Sequence, residues 1–422
     1  MPNDDLTPEP WLDEVLPAEE PASESDLMVA LPAAQPPHPN IWWSLLWCFG
    51  ILATLYGTII VAMIASMVGS DLYARMRGEK QDDSQGGIVA SNRPQSPEEL
   101  ERIRAAKLAR VREDLFRNLA FPMFLGELVT TLLAVATLRI FVGRNWMRIV
   151  GLRRPGLLHV ALVLIAMPAM LVLPNMIHEL AKYIGVPHFE NPEEFAQMIG
   201  GWSLGFGVLV IGVGPGLSEE LWCRGFLGRG LVGNYGVWLG VLLTSALFGL
   251  MHLDPAHALA TAAIGVWLHF TYLMTRSLVV PMILHMLNNS LAVVGAVVGI
   301  QEDAWQKNLE SAAPPNPFWA VVAERLNDLE KLANDQPYPM TIGCIFLLGG
   351  VAWALYLSRA RLVVSAEEAR IPWRPDFQGV EYPPLGSVTK IYRPWPGWLA
   401  SALVLAGVIA FVGCSYYAYV QP

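Results

Sequence analysis

The sequence predicts an all-α polytopic membrane protein of about eight or nine transmembrane helices, with its polar site inside the helical core. Three observations lead there. Hydrophobic residues make up 54% of the 422 and charged residues 15%, where a soluble domain carries about 25% charged. Apolar runs of about 17 residues or more, the length a helix needs to cross roughly 30 Å of hydrocarbon, recur along the chain. A few ionisable residues sit inside those runs, and a charge at membrane depth is costly enough to mark function by default. Irregular backbone cannot face lipid, so the runs are expected to be helices.

Taken in order, residues 1–40 hold nine acidic residues, nine prolines and no Lys or Arg. That composition cannot bury enough apolar surface to offset its ordering entropy, so a disordered acidic tail is expected. The tail accounts for the net charge of -9, since the remainder carries 28 acidic and 28 basic residues. It also lacks the basic start of a cleaved signal peptide, so the first apolar segment is expected to remain as an anchor. Nine spans are expected, at 43–68, 119–142, 157–177, 203–228, 235–252, 256–274, 278–300, 340–358 and 397–419. Only Leu253-Asp254-Pro255 separates the fifth from the sixth, so 256–274 is a candidate for a partly interfacial helix. Cys48, Cys223, Cys344 and Cys414 all fall in apolar segments and read as buried thiols.

The basic loop 69–118 contains ten Lys or Arg, and in its second half Ser96-Pro97-Glu98-Glu99 has the form of a capping box. A helix is expected after it. Leu100, Ile103, Leu108, Val111 and Leu115 fall on one side, with Arg102, Lys107, Arg110 and Arg117 around them. Such a helix either lies on an anionic lipid surface or simply leads into the second span. Arg139, Arg144, Arg148, Arg153 and Arg154, together with six Lys or Arg between 359 and 396, share one membrane face in this topology. The ten in the first loop occupy the other, so the positive-inside rule votes both ways, and the 143–156 loop is assigned to the cytoplasmic side. After the spans of the core, 301–339 carries Pro314-Pro315-Asn316-Pro317 and then Val322, Leu326, Leu329 and Ala333 along one helix side. Residues 360–396 are rich in Pro and aromatics, with Trp373 and Trp395 followed by Trp398, as at an interface. The expected organisation is thus a 1–40 tail, two spans with the basic loop over 41–142, a membrane core over 143–300, and a 301–422 extension with two further spans.

The chemistry lies in three short patterns within the core. Ser218-Glu219-Glu220-Leu221-Trp222-Cys223-Arg224-Gly225 places Glu220 and Arg224 four apart on one helix face, where the arginine neutralises that carboxylate. Glu219 points about 100° away and is left as the less compensated acid, suited to a general base. Taken alone, Glu-Glu-x-x-x-Arg also arises by chance, with one glutamate in a salt bridge and the other bonded to a neighbouring helix. Phe248 and His252 form the second pattern, with Gly249 allowing close helix packing; a lone histidine near a helix end is more often a packing residue. His285 and Asn289 form the third, on one face at i, i+4 spacing, able to hold a metal-bound water or donate to an oxyanion. Other polar residues in or beside the spans are Glu127, His178, Glu179, His257 and His269. Glu127 is expected to bond to another helix, His269 to be structural, and His257 is a candidate for the mouth of the site.

The three patterns, each on a different span and in this order, resemble the signature motifs of the CPBP family. That family includes the type II CAAX prenyl endopeptidases and the bacteriocin-processing or immunity proteins called Abi proteins. The resemblance covers about 203–300, with a looser echo in Ile149-Val150-Gly151-Leu152-Arg153-Arg154. The departure is Cys223, where the family often has Phe. The resemblance implies hydrolysis of a peptide bond within the membrane. Glu219 would activate water and His252 would help hold it; His285 and Asn289 would stabilise the oxyanion; Glu220 and Arg224 would set the geometry. No cofactor is favoured. The alternative is a zinc site of Glu219, His252 and His285 with Glu220 as base. Expected partners are the bilayer and a membrane-embedded or prenylated peptide or protein substrate, in a multi-pass protein of the plasma (inner) membrane. No nucleotide loop, paired-cysteine metal motif, His-Glu-x-x-His helix or nucleic-acid signature is present. Two other readings stay open: a non-catalytic scaffold or immunity protein, and a proton-coupled transporter, the latter expected to show inverted repeats.

Overall fold

A computed structural model describes residues 37–76, 97–188, 198–199, 202–306, 316–363, 378–381 and 390–420. The acidic tail through residue 36, Ser96 of the capping box, Pro314, Pro315 and Trp373 lie outside the described residues. Helix α1 (Ile41–Met76) opens where Asn40 Oδ1 accepts the Trp43 backbone N–H at 3.1 Å. Helix α2 (Pro97–Phe141) begins at a proline in the first turn, where the missing N–H costs nothing. Its 45 residues run without a break from the basic segment into the second span, so the helix expected after Ser96 leads directly into that span. Most side chains on the expected amphipathic face, Leu100 to Leu115, are outside the described residues. Gly126 brings α2 onto α1, since a Cβ there would come within 3.0 Å of Leu55 and Ile59 side-chain atoms.

After the one-turn helix α3 (Trp146–Ile149), the expected third span is two helices, α4 (Leu157–Ile165) and α5 (Met167–Tyr183), bent by 42°. Pro168 explains the bend: it has no N–H for the Leu164 carbonyl, and its ring crowds that carbonyl. Helix α6 (Leu204–Tyr235) is longer than its expected 203–228 and stops at Gly236, whose φ of +79° a side chain would resist. Helix α7 (Val237–Leu250) is a correction to the nine-span expectation. Its 14 residues reach about 21 Å, too short to cross hydrocarbon alone. It turns back through Met251–Asp254, with Leu253 at φ 61°, into α8 (Pro255–Thr275), where Asp254 Oδ1 caps the His257 N–H at 2.8 Å. Gly249 seats against the Ala258 carbonyl and closes this α7–α8 hairpin. At 21 residues α8 is long and apolar enough to cross.

Helix α9 (Val279–Gln306) returns through the bundle. Helix α10 (Pro317–Asp335) is capped by Asn316 and docks Leu329 and Leu332 against the core. Helices α11 (Pro337–Leu357) and α12 (Gly397–Val420) pair closely, Gly350 facing the Leu403 carbonyl and Gly407 the Phe346 carbonyl. Between them a short antiparallel pair, β1 (Arg361–Val363) with β2 (Lys390–Tyr392), matches Arg361 to Tyr392 and is the one departure from helix among the described elements. Among the described residues seven helices are long and apolar enough to span, eight with the bent α4–α5 pair counted as one. The protein is an all-α, multi-pass integral membrane protein. Residues such as Phe49, Val61, Leu132, Leu405 and Ile409 face outward, as lipid-facing residues do.

The two basic segments expected to share a face adjoin each other. Leu278 N–H donates to Gly151 O at 2.9 Å, Ala360 N–H to Met274 O at 2.9 Å, and Arg153 Nη2 to Val380 O at 2.6 Å. Trp395 and Trp398 on that face are exposed. The interior is filled by Trp222, Phe226, Phe248 and Tyr272, with Trp222 Nε1 donating to Thr130 O at 3.2 Å. Cys48, Cys223 and Cys344 are buried free thiols and Cys414 is half-buried.

Candidate active site

Helix α6 carries the glutamates, and it is not a regular helix. Two π-helical stretches, Val208–Val213 and Leu221–Leu227, flank an α-helical segment, Gly214–Glu220. A widened turn passes over one carbonyl, which then needs another donor. At the second stretch the Gly228 N–H donates to Cys223 O, five residues back, and Arg224 O loses its normal partner. Gln378 Nε2 donates to that carbonyl at 3.1 Å. At the first, Pro215 has no N–H to give Ile211 O, and Asn289 Nδ2 donates to it at 3.2 Å. Each disturbed turn is therefore completed by a side-chain amide from outside α6.

The α-helical segment between them sets the two glutamates on different faces. Glu220 and Arg224 are completely buried and joined at 2.7 Å from Nη1 to Oε1. Arg224 Nη2 also donates to Gly265 O at 2.9 Å, and its Cζ lies 4.7 Å from the centre of the Phe248 ring. Gly265 has no Cβ, and one would come within 3.1 Å of Phe248 and Ser245; the bare backbone lets α8 bring its carbonyl to the arginine. On the other side of the ion pair, His285 Nδ1 lies 2.9 Å from Glu220 Oε1 and Nε2 lies 3.8 Å from Glu219 Oε2. His285 is thus held between the two carboxylates. Glu219 keeps 22% of its side chain accessible, yet Oε2 is buried without a hydrogen-bond partner in the protein. The two atoms are within ion-pair range but beyond hydrogen-bond range.

His252 belongs to the same cluster. Its Nδ1 is 3.1 Å from Phe248 O, leaving Nε2 for other partners, and Phe248 makes edge contacts with both His252 and His285 at 5.3 and 5.7 Å between centroids. Asn289 sits one turn beyond His285 on α9, its Oδ1 accepting from Asn288 Nδ2 at 3.3 Å and its Nδ2 committed to Ile211. One amide hydrogen is left for any other acceptor. The structure therefore gathers Glu219, Glu220, Arg224, His252 and His285, and ties Asn289 to the helix that carries the glutamates.

The remaining polar residues fall into place around this cluster. Glu127 on α2 bonds another helix as expected, accepting from Ser218 Oγ at 2.7 Å. His257 stacks on His252 at 5.1 Å, and His178 approaches His257 at 6.2 Å, so imidazoles run outward from the site along the hairpin tip. Glu179 pairs with Lys182 at the surface at 2.8 Å. His269 is buried, with Nε2 3.2 Å from Gln378 Oε1. Gln378 was invisible to sequence reasoning: it lies 154 positions from Arg224, in no motif and on no span. As the side chains are placed, no three His, Cys, Asp or Glu among the described residues come close enough together to hold a metal ion.

Residues 201–291 match the family model described as type II CAAX prenyl endopeptidase, Rce1-like. The match covers all three motifs and supports, at family level, a CAAX-protease-like intramembrane endopeptidase. No curated protein and no solved structure matches the chain.

Proposed function

From the Rce1-like region at 201–291, we propose that the chain is an intramembrane endopeptidase in which Glu219 activates water. The observation that carries this is the pairing of the unpartnered Glu219 Oε2 with His285 Nε2 across 3.8 Å, beside a neutralised Glu220–Arg224 pair. Water held there gives a proton to Glu219 as its oxygen attacks the peptide carbonyl. His285, with Nδ1–H on Glu220, donates from Nε2 in its imidazolium form to the tetrahedral oxyanion, and Asn289 has one N–H to add. Glu219 returns the proton to the departing amine, which also takes the proton of the new acid, so the products are a carboxylate and an ammonium group. His252, oriented by the Phe248 carbonyl, holds the water from its other side. No step passes through a metal.

The short α7 supports access to such a site. Its 14 residues are too few to cross hydrocarbon, and His252 and His257 just beyond its end are partly exposed. A membrane-embedded or prenylated peptide tail is the substrate class that fits, in a protein of the plasma membrane whose 143–156 face is cytoplasmic. The test uses protein purified into liposomes with a peptide ending in a farnesylated C-a-a-X box and the same peptide without lipid. Cleavage of the lipidated peptide, a loss of at least about 100-fold in kcat for Glu219→Gln, and insensitivity to a chelator are expected. Undiminished turnover by Glu219→Gln would sink the mechanism, and zinc-restored activity after chelation would sink its metal-free form.

A further inference from the structure

A row of imidazoles leads away from the site, and only its first member has a part in the mechanism above. His252 and His257 stack at 5.1 Å between centroids, and His178 meets His257 edge-on at 6.2 Å. His252 lies in the turn of the α7–α8 hairpin and His257 in the first turn of α8, whereas His178 comes from α5, outside the 201–291 match. The His178 ring is half-buried, and its Nδ1 is buried with no hydrogen-bond partner among the described residues. An unpaired buried polar atom is costly and asks for a partner. The acids nearest in sequence are engaged: Glu179 pairs with Lys182 at the surface, and Asp254 Oδ1 caps the His257 backbone N–H.

The spacing of the row limits what that partner is. The steps of 5.1 and 6.2 Å place His178 no farther from His252 than about three residues of extended chain. A peptide cut beside His252 and ending at His178 therefore carries its C-terminal carboxylate about three residues past the cut. In apolar surroundings that anion needs donors, and an imidazole keeps at least one N–H in either charge state. In a C-a-a-X tail the residues a-a-X follow the lipidated cysteine, so a cut at that cysteine leaves a tail of the length the row spans. We propose that His178 is a specificity-determining residue that receives the C-terminal carboxylate of the substrate, with the stacked His257 ring holding it in line. This rests on the endopeptidase reading, with His252 beside the scissile bond.

The test uses protein in liposomes and the farnesylated peptide as its free acid, as its C-terminal amide, and as a free acid longer by one residue. In the wild type, KM should rise about tenfold for the amide and for the longer acid, the loss of a hydrogen bond to a charged group, with kcat little changed. His178→Ala should raise KM for the acid to the value for the amide and leave the amide unaffected. His178→Gln, which keeps a donor, should recover part of the difference, and melting curves confirm the fold of both variants. Binding to the Glu219→Gln protein separates this subsite from the base: the acid should still bind about tenfold tighter than the amide. Equal KM for acid and amide in the wild type, or equal Kd in Glu219→Gln, would overturn the subsite. Equal losses on both peptides in His178→Ala would make His178 a packing residue. Full turnover by Glu219→Gln with the preference for the acid intact would remove the base and leave the subsite standing.

Discussion

The two widened turns of α6 solve one problem with different parts of the chain. At Val208–Val213 the orphaned Ile211 carbonyl is taken by Asn289, a residue of the third motif. At Leu221–Leu227 the orphaned Arg224 carbonyl is taken by Gln378, from the C-terminal extension. The first turn is completed within the matched region, while the second depends on a segment 154 positions away. The difference shows that the extension is more than two added spans. It reaches behind the buried ion pair and also binds His269 through the same amide.

The largest effect expected is at the ion pair that joins the regular segment, at Glu220, to the second widened turn, at Arg224. Arg224→Ala leaves Glu220 charged and fully buried, and loss of one partner of such a pair costs about 3–5 kcal/mol. A large drop in the melting temperature of the purified protein checks it. A wild-type melting curve for Arg224→Ala would show that His285 alone compensates Glu220. A smaller loss is expected at the second turn. Gln378→Leu fits the same space without a donor, leaving Arg224 O unpaired at a cost of about 1–3 kcal/mol. Catalysis should fall with stability there, because the carbonyl belongs to the arginine that holds Glu220. An unchanged melt and unchanged kcat would mean that the extension is irrelevant to the site.

How much of this was legible follows the same division. The Glu220–Arg224 pairing was readable because four residues make one helical turn, and Gly214–Glu220 is regular helix up to the glutamate. The separation of Glu219 from Glu220 was readable for the same reason. The π-helical stretches were not, since a widened turn depends on donors elsewhere in the fold that local spacing cannot reveal. Spacing gave the His285–Asn289 pair as a holder of a metal-bound water, an oxyanion donor or an interhelical hydrogen-bonding pair, without naming Ile211 O as the acceptor; Pro215 is the signal for that acceptor, since a proline inside a span frees a carbonyl that something must satisfy. Each of the nine apolar segments falls on helix, but hydropathy measured composition rather than reach. Gly236 and the turn at Met251 leave α7 with 14 residues, too few to cross.

The smallest expected effect separates the two roles now available to Asn289. Asn289→Ala removes both the bond to Ile211 O and any donation to an oxyanion. Pro215→Ala restores a backbone N–H that can serve Ile211 O in place of the asparagine. In a double-mutant cycle, the stability lost in Asn289→Ala, about 0.5–1.5 kcal/mol for one hydrogen bond, should shrink in the Pro215→Ala background. Activity should not recover if the remaining amide hydrogen donates to the oxyanion, because a repaired helix supplies no donor at that point. Recovery of both stability and kcat in the double variant would assign Asn289 to the helix alone and leave His285 as the oxyanion donor. Additive stability losses would instead show that Pro215 is not what frees the Ile211 carbonyl.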